Sequence, residues 1–276
     1  MMRLIPLTFA LLLTACVADG GPGLDVESRS IAVEQNAVPA SGAGASNSVS
    51  HLLPATGPTY VTLTVSRSDP SGTQDARQGG SQAITSGSGY IVDGSGYVLT
   101  AAHVGVSKGN AVSARAANGR VYSGSVVAVL PGNDISLVRL KGFAGRAVNP
   151  TSPGCVAKGD LVYTLGRPHS SGDVARVGAF ESRHFGRAVS YGKFGYPDAM
   201  VLHMGTQKGE SGGPVFDGSG RLIGMVVSTL SDSEGNSINL AHAIPATALA
   251  NFYCANALCS GEWAALAKSS VDSCNR

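Results

Sequence analysis

Short apolar segments alternate with polar turns through most of this chain. In Tyr60–Val65, apolar and hydroxyl residues alternate with the two-residue period of a half-buried strand. Ser86–Val92 and Tyr97–Thr100 flank an Asp93-Gly94 pair, which predicts a β-hairpin. Further short strands, bounded mostly by Gly, Pro, Asn or Asp, are predicted at Ala111–Arg115, Val121–Leu130, Ser136–Leu140, Leu161–Leu165, Ala175–Phe180, Met200–His203, Gly213–Phe216, Leu222–Val227 and Ala241–Ile244. The pattern predicts an all-β barrel architecture.

The two ends of the chain follow other patterns. An apolar run at Leu4–Leu13 follows a single positive charge, so residues 1–15 are interpreted as a secretory signal. Leu13–Cys16 resembles a bacterial lipoprotein box, which implies cleavage before Cys16 and its acylation; an ordinary signal is the alternative. Residues 16–57 are rich in small and polar residues and predict a flexible tether or a propeptide. The C-terminal segments Ala246–Tyr253 and Glu262–Ala267 are predicted to be helical.

Composition narrows the class of protein. The chain has 276 residues, of which 43% are hydrophobic, so it can bury a large core. Its net charge of +2 and its lack of a basic run argue against nucleic-acid binding. No Cys/His set has zinc spacing, so we expect no metal and no other cofactor.

Four cysteines remain if Cys16 is lipidated. An even number in an exported protein permits two disulfides with three possible pairings, and free buried thiols are the alternative. The four residues are Cys155, Cys254, Cys259 and Cys274.

Three polar residues lie in recognisable contexts, in the order His, Asp, Ser. His103 ends the run Thr100–His103, and Asp134 lies in Asn133–Leu137. Ser211 is surrounded by glycines in Gly209–Pro214, where N–H groups of Gly209 and Ser211 are expected to form an oxyanion hole. A serine needs a base to take its proton, and the imidazole needs a carboxylate to fix its tautomer. Alone, each residue could equally be structural; together they predict a serine hydrolase.

These motifs resemble those of the trypsin-like serine proteases, in particular the bacterial high-temperature-requirement and glutamyl-endopeptidase branches. The matching runs are Leu99–His103, Asn133–Val138 and Gly209–Phe216, and the resemblance covers about residues 60–250. It implies two six-stranded antiparallel β-barrels with a short C-terminal helical segment. By this resemblance the protease domain spans residues 58–250, and residues 251–276 form a helical, Cys-containing extension without a PDZ domain.

The resemblance also implies roles and departures. His103 would act as base, Asp134 as its partner and Ser211 as nucleophile. Glu210 stands where digestive members carry an Asp that pairs with a freed N-terminus, so we expect either no zymogen cleavage or a different one. The predicted substrate pocket comprises Gly205, Thr206, Val226, Val227 and Ser228. Because Gly205 replaces the trypsin pocket carboxylate, we expect a preference for small or apolar residues.

The resulting expectation is a serine endopeptidase that cleaves polypeptides of the envelope or outside the cell. It would be exported to the bacterial periplasm and attached to the outer membrane by a lipid, or else secreted. Two alternatives remain open: a non-catalytic envelope scaffold on a protease fold, and an esterase of the α/β-hydrolase type, since Gly209–Gly213 also fits the G-x-S-x-G motif. A last expectation concerns four basic residues interpreted as a solvated loop face: Arg176, Arg183, Arg187 and Lys193.

Overall fold

The computed structural model describes residues 30–35, 49–67, 83–232, 234 and 236–274. The predicted leader at residues 1–15 and the predicted lipid attachment at Cys16 lie outside these ranges. Within them, no helix has both the length and the apolar character needed to cross a membrane.

Two barrels form the molecule. One short strand, β1 (Ile31–Gln35), precedes them. The first barrel comprises β2 (Tyr60–Ser66), β3 (Ala83–Ile91), β4 (Tyr97–Ala101), β5 (Ala111–Ala116), β6 (Val121–Leu130) and β7 (Ile135–Leu140). These six antiparallel strands close in the order β2-β3-β4-β7-β6-β5. Along β5 every second residue is buried, as the alternating sequence predicts for a strand with one face in the barrel.

The second barrel follows the same principle. Its strands and an inserted hairpin are β8 (Leu161–Gly166), β9 (Asp173–Ser182), β10 (Val189–Tyr191), β11 (Phe194–Tyr196), β12 (Met200–His203), β13 (Pro214–Asp217), β14 (Leu222–Ser231) and β15 (Ser237–Pro245). The barrel order is β9-β12-β15-β14-β13-β8, and pairing of β8 with β9 closes it. Strands β10 and β11 pair only with each other among the described strands. The prediction of two six-stranded antiparallel barrels is therefore confirmed, and the α/β-hydrolase alternative is wrong.

Strand β1 adds a seventh strand to the second barrel. It lies parallel to the first half of β9, with Ile31 opposite Asp173 and Glu34 opposite Arg176. Its side chains Ile31 and Val33 pack against the core, and Val49 further along is fully buried. Within the predicted tether or propeptide of residues 16–57, residues 31–35 thus pair with β9 and residues 49–57 include side chains that contact the core, which composition alone does not indicate.

Short helices complete the fold. They are α1 (Leu53–Thr56), α2 (Ala102–Gly105), α3 (Ala246–Asn256) and α4 (Gly261–Leu266). The last two agree with the predicted C-terminal helical segment. The extension is anchored to the β3–β4 turn, where Tyr253 donates to Asp93 Oδ2 at 2.9 Å and Trp263 Nε1 donates to the Val92 carbonyl at 3.0 Å.

Two disulfides hold this extension. Cys155 pairs with Cys274 across a separation of 119 residues, and Cys254 pairs with Cys259 between α3 and α4. The structure thus selects one of the three possible pairings. The longer bridge joins the end of the extension to the segment that precedes β8.

Candidate active site

Strand register brings His103 and Asp134 together. In the antiparallel pair β4–β7, Ala101 lies opposite Ile135, and His103 and Asp134 lie just beyond this point on their respective chains. The Ala102 N–H donates to the Asp134 carbonyl at 3.1 Å and extends the pairing by one step. Helix α2 then begins and presents the imidazole at the end of the barrel.

The two side chains are joined by a pair of hydrogen bonds. His103 Nδ1 lies 2.8 Å from Asp134 Oδ2, and the His103 backbone N–H donates to Asp134 Oδ1 at 2.9 Å. The carboxylate is fully buried, whereas the imidazole side chain is 26% exposed. This arrangement makes Nδ1 the protonated nitrogen and leaves Nε2 available as a base on the exposed side.

Ser211 lies on the turn between β12 and β13, and two glycines shape that turn. Gly209 has φ +98° and Gly212 has φ +84°, values that side chains rarely adopt. A Cβ on Gly212 would lie 2.3 Å from both the Ser88 carbonyl and Thr100 Oγ1. The turn therefore packs directly on the first barrel, two residues from the start of α2. Only glycine permits this approach.

Ser88 ties the turn to the first barrel. Its N–H donates to the Ser211 carbonyl at 2.9 Å, and its Oγ donates to the Gly209 carbonyl at 2.8 Å. The Lys208 carbonyl accepts from the His169 N–H at 2.8 Å, so the Gly209 N–H points the opposite way. In the described ranges, neither the Gly209 nor the Ser211 N–H donates a hydrogen bond. Two backbone donors beside the serine are thus available to a ligand oxygen.

The serine and the imidazole are not yet hydrogen-bonded. Among the described residues, no hydrogen bond joins Ser211 Oγ to His103. Such contacts are often long in unliganded proteases and shorten when substrate binds.

A buried ion pair supports the turn from the other side. The Glu210 side chain is fully buried, and Arg176 Nε lies 2.6 Å from its Oε1. Arg176 Nη1 also lies 2.8 Å from Glu34 Oε2 on β1. Burial raises the pKa of the Glu210 carboxyl above its ordinary value, while the Arg176 guanidinium favours the ionised form and limits the rise. Glu210 Oε2 accepts the Gln207 N–H at 3.2 Å, so the same carboxylate also shapes the chain before Ser211.

Comparison with known proteins gives the family. A family model described as Trypsin-like peptidase domain matches residues 87–225, half of the 276-residue chain. The chain belongs to the trypsin-like peptidase family. This membership confirms the expectation of a trypsin-like serine protease domain.

Relatives and solved structures agree with this assignment. The protein named Probable periplasmic serine endoprotease DegP-like of Brucella suis biovar 1 (strain 1330) is 31% identical over 151 residues, which cover 54% of this chain and 28% of that protein. Its namesake from Rhizobium meliloti (strain 1021) is 35% identical over 92 residues, or 33% and 17% of the two chains. The chain thus spans less than a third of these relatives. The structure titled HtrA-type protease AlgW with tripeptide aligns with a TM-score of 0.59 at 23% identity, covering 71% of this chain and 59% of that one, which supports the same fold.

One predicted pocket residue of this trypsin-like domain, Val226, pairs with the Ser211 turn. The Gly212 N–H donates to the Val226 carbonyl at 2.8 Å, and the Val226 N–H donates to the Gly213 carbonyl at 2.9 Å. Val226 and Val227 are both buried. Thr206 Oγ1 lies 2.6 Å from Thr229 Oγ1, so this hydroxyl is engaged within the protein. Gly205 precedes Thr206 at the start of the same turn.

A cleft of about 380 Å³ opens on the other side of Gly209. The first barrel contributes hydroxyls from β2, β3 and β5, together with Gly87 and Arg115; the second barrel contributes Arg167 and Gly209. None of the predicted pocket residues lines it.

Three contributors to the site were missed by the sequence analysis: Ser88, Arg176 and Tyr191. Arg176 was expected on a solvated loop face, and this is wrong, because its side chain is only 4% exposed between two carboxylates. Arg183 likewise donates to the carbonyls of Gly154 and Val156 at 2.9 Å. The position of Arg176 inside an apolar β9 segment was the available signal, since a cation in a buried strand needs a partner.

Proposed function

We propose that this chain is a serine endopeptidase that hydrolyses peptide bonds with His103, Asp134 and Ser211 as its catalytic triad. The observation that carries the proposal is the 2.8 Å contact between His103 Nδ1 and the buried Asp134, together with the packing of the Ser211 turn on the first barrel close to the start of α2. A histidine held in this tautomer has one ring nitrogen free to accept the serine proton.

Acylation would begin when His103 Nε2 removes the Ser211 Oγ proton as that oxygen attacks the scissile carbonyl carbon. The carbonyl π electrons move onto its oxygen, and the N–H groups of Gly209 and Ser211 bind the resulting oxyanion. His103 then returns its proton to the departing amine as the C–N bond breaks. Asp134 stabilises the imidazolium between these two transfers and is not itself protonated.

Deacylation would reverse these roles with water. His103 takes a proton from water, the resulting hydroxide attacks the ester carbon, and the collapse of the second tetrahedral intermediate expels Ser211 Oγ, which recovers the proton from His103. None of these steps needs a metal or an organic cofactor.

The pocket chemistry supports a preference for small or apolar residues on the acyl side. Val226 and Val227 are apolar, and the Thr206 hydroxyl is already bonded to Thr229. Because Gly205 supplies no side-chain charge, a basic substrate residue would lose its hydration there without gaining an ion pair. Digestion profiles dominated by acidic or basic residues before the cleaved bond would contradict this preference.

Export from the cytoplasm is part of the same proposal. Two disulfides are typical of proteins that fold in an oxidising compartment, and the DegP-like relatives are named as periplasmic. We further propose that Cys16 carries the lipid that anchors the chain to the outer membrane. Incorporation of radiolabelled palmitate into the wild-type chain, but not into Cys16→Ser, is the expected result; equal labelling of both would contradict the anchor.

Proteolysis is tested with the full chain on unfolded casein and on a peptide library, reading new termini by mass spectrometry. The wild-type protein should generate new termini, and Ser211→Ala should reduce their rate of formation by at least ~10⁴-fold. Ser219→Ala is a matched control, because this serine lies in the β13–β14 turn and bonds to Asp217. It should retain wild-type activity.

The competing interpretation is a non-catalytic scaffold on the same fold. It predicts that wild-type protein and Ser211→Ala release peptides at the same background rate. That result would overturn the proposed endopeptidase.

A further inference from the structure

The hairpin formed by β10 and β11, residues Val189–Tyr196, reaches from the second barrel to the catalytic residues of the first. The Tyr191 hydroxyl donates a hydrogen bond to Asp134 Oδ2. The Tyr191 ring lies edge-on to the His103 ring, with centroids 5.9 Å apart, and Phe194 approaches the same imidazole at 6.4 Å. Lys193 Nζ lies 3.4 Å from the Val106 carbonyl just after α2. The hairpin therefore contacts both members of the His–Asp pair.

Tyr191 provides Asp134 with a donor from outside the first barrel. The Asp134 carboxylate is fully buried, and such a group is stable only if its oxygens are hydrogen-bonded. Oδ1 accepts the His103 backbone N–H, and Oδ2 accepts both His103 Nδ1 and the Tyr191 hydroxyl. Burial, and then the bond and charge of Asp134, raise the pKa of Tyr191, so the hydroxyl remains protonated and acts as a donor.

The opposite strand of the hairpin is fixed to the second barrel. The Tyr196 hydroxyl lies 2.8 Å from Ser228 Oγ on β14 and 2.7 Å from His242 Nδ1 on β15. The rings of Tyr191 and Tyr196 also pack edge-on, 6.2 Å apart. The hairpin thus contacts Asp134 through the Tyr191 hydroxyl and the strands β14 and β15 through the Tyr196 hydroxyl. A side chain on a hairpin that is itself held in place can fix a neighbouring group more firmly than a side chain on an unsupported loop.

We propose that Tyr191 is a positioning residue for catalysis: its hydroxyl fixes the Asp134 carboxylate and thereby holds His103 in the orientation that serves Ser211. The proposal rests on the proposed serine endopeptidase function. Both members of the His–Asp pair belong to the first barrel, but the second barrel supplies the Tyr191 hydroxyl that hydrogen-bonds to Asp134. The charged and titratable groups that face this pair are Lys193, whose ammonium lies toward Val106, and the two tyrosine hydroxyls of the hairpin.

Tyr191→Phe removes the hydroxyl and keeps the ring. The variant should lose about ten- to a hundredfold in kcat on a peptide substrate, with KM changed less than threefold, because the hydrogen bond acts through Asp134 rather than on the substrate. Removing a donor leaves more negative charge on Asp134, which favours the protonated imidazole. The acidic limb of the kcat/KM profile should therefore move to higher pH, by about half a unit or more.

Tyr253→Phe is the matched control. Its hydroxyl also donates to an aspartate, Asp93, but on the C-terminal extension. It should change neither kcat nor the pH profile. Thermal unfolding of both variants measures any loss of stability. A loss of stability alone does not move the acidic limb of the kcat/KM profile, whereas a change in the positioning of His103 does.

A double-mutant cycle with Asp134→Asn decides the mechanism. If Tyr191 works through the carboxylate, Tyr191→Phe should cost less than about twofold in the Asp134→Asn background. The proposal would be overturned if the loss of kcat in the double variant equalled the product of the two single losses. It would also be overturned if Tyr191→Phe kept the wild-type kcat and pH profile.

A spectroscopic measurement separates this proposal from the proposed function. The low-field proton NMR signal of His103 Nδ1–H is recorded in Ser211→Ala and in Ser211→Ala with Tyr191→Phe. The signal should shift when the hydroxyl is removed, whether or not the wild-type protein cleaves peptides. An unchanged signal would contradict the role of Tyr191, whereas an inactive wild type with a shifted signal would contradict only the endopeptidase.

Discussion

The two barrels hold the proposed catalytic groups by different means. In the first barrel, His103 and Asp134 meet because they follow paired positions on the neighbouring strands β4 and β7. In the second barrel, the Ser211 turn depends on a buried Arg176–Glu210 pair and on hydrogen bonds from Ser88 across the cleft. The first arrangement follows from strand register between neighbouring strands, and the second depends on contacts between residues far apart in sequence. The fold of the Ser211 turn should therefore be more sensitive to the loss of single distant contacts than the pairing of His103 with Asp134.

The largest effect on kcat is expected when the Asp134 carboxylate is replaced by a neutral amide. Asp134→Asn should lower kcat by about 10⁴-fold, because an amide favours the wrong imidazole tautomer while the strand register stays intact. Asp93→Asn is the control, since Asp93 accepts from Tyr253 in the β3–β4 turn. Steady-state kinetics and the midpoint of thermal unfolding check both variants. A fall of less than tenfold in Asp134→Asn would show that the pair is not catalytic.

Breaking the Arg176–Glu210 ion pair should lower both the free energy of unfolding and kcat. Arg176→Met leaves the Glu210 carboxylate buried without its cation, which typically costs about 3–5 kcal/mol of unfolding free energy. We expect kcat to fall about 10²-fold, as when an oxyanion donor is lost, because the turn that presents Gly209 relaxes. Urea unfolding and steady-state kinetics measure the two effects.

Two further variants sharpen this second test. Glu34→Gln removes the outer partner of Arg176. Because the Glu34 side chain is 48% exposed, this substitution should lower the free energy of unfolding by less than about 1 kcal/mol. Adding Glu210→Gln to Arg176→Met removes the stranded charge and should recover part of the lost stability. If Arg176→Met keeps both wild-type rate and wild-type stability, the ionic support of the turn is refuted.

The last expected effect is on stability in acid, and it concerns His242 on β15, which bonds to Tyr196 of the hairpin. Burial first, and then the charge of Arg187, lower the pKa of His242 to about 4. A base with a lowered pKa in the folded state contributes stability above its unfolded value, about 6.5, and loses it as pH falls toward 4. For this pKa shift, the linkage relation gives a loss of unfolding free energy of ~3 kcal/mol at most, and less if the site relaxes.

His242→Gln should therefore flatten the decline of unfolding free energy between pH 6.5 and 4. His184 provides a control of opposite sign, because its bond to Asp198 raises its pKa. Its contribution is present at low pH and fades as pH rises above the folded value. A His242→Gln profile parallel to that of the wild type would contradict the account of this buried ring.

The same contrast explains what the sequence could predict. Strand alternation and the motifs around His103, Asp134 and Ser211 are local signals, and they gave the barrel strands and the triad candidates. The supports join residues far apart in sequence: Ser88 and Gly209 are 121 positions apart, and Tyr191 and Asp134 are 57 apart. No local pattern encodes such a pairing.

Short strands were missed for a related reason. Strands β10 and β11 have three residues each, which is too short for a period-two pattern to be distinguished from a loop. Strand β1 lies within a segment whose composition resembles a tether, and its contacts are with distant residues of β9 and of the core. Tertiary context decided both cases.

The most direct test of the account is the reaction of the wild-type protein with a fluorophosphonate, followed by intact-mass measurement and peptide mapping. A serine activated by His103 and Asp134 should give one adduct, located on Ser211, that is absent from Ser211→Ala and forms far more slowly in Asp134→Asn. No adduct on the wild type, or one that persists unchanged in Ser211→Ala, would contradict the central claim that the two barrels together build a working nucleophile.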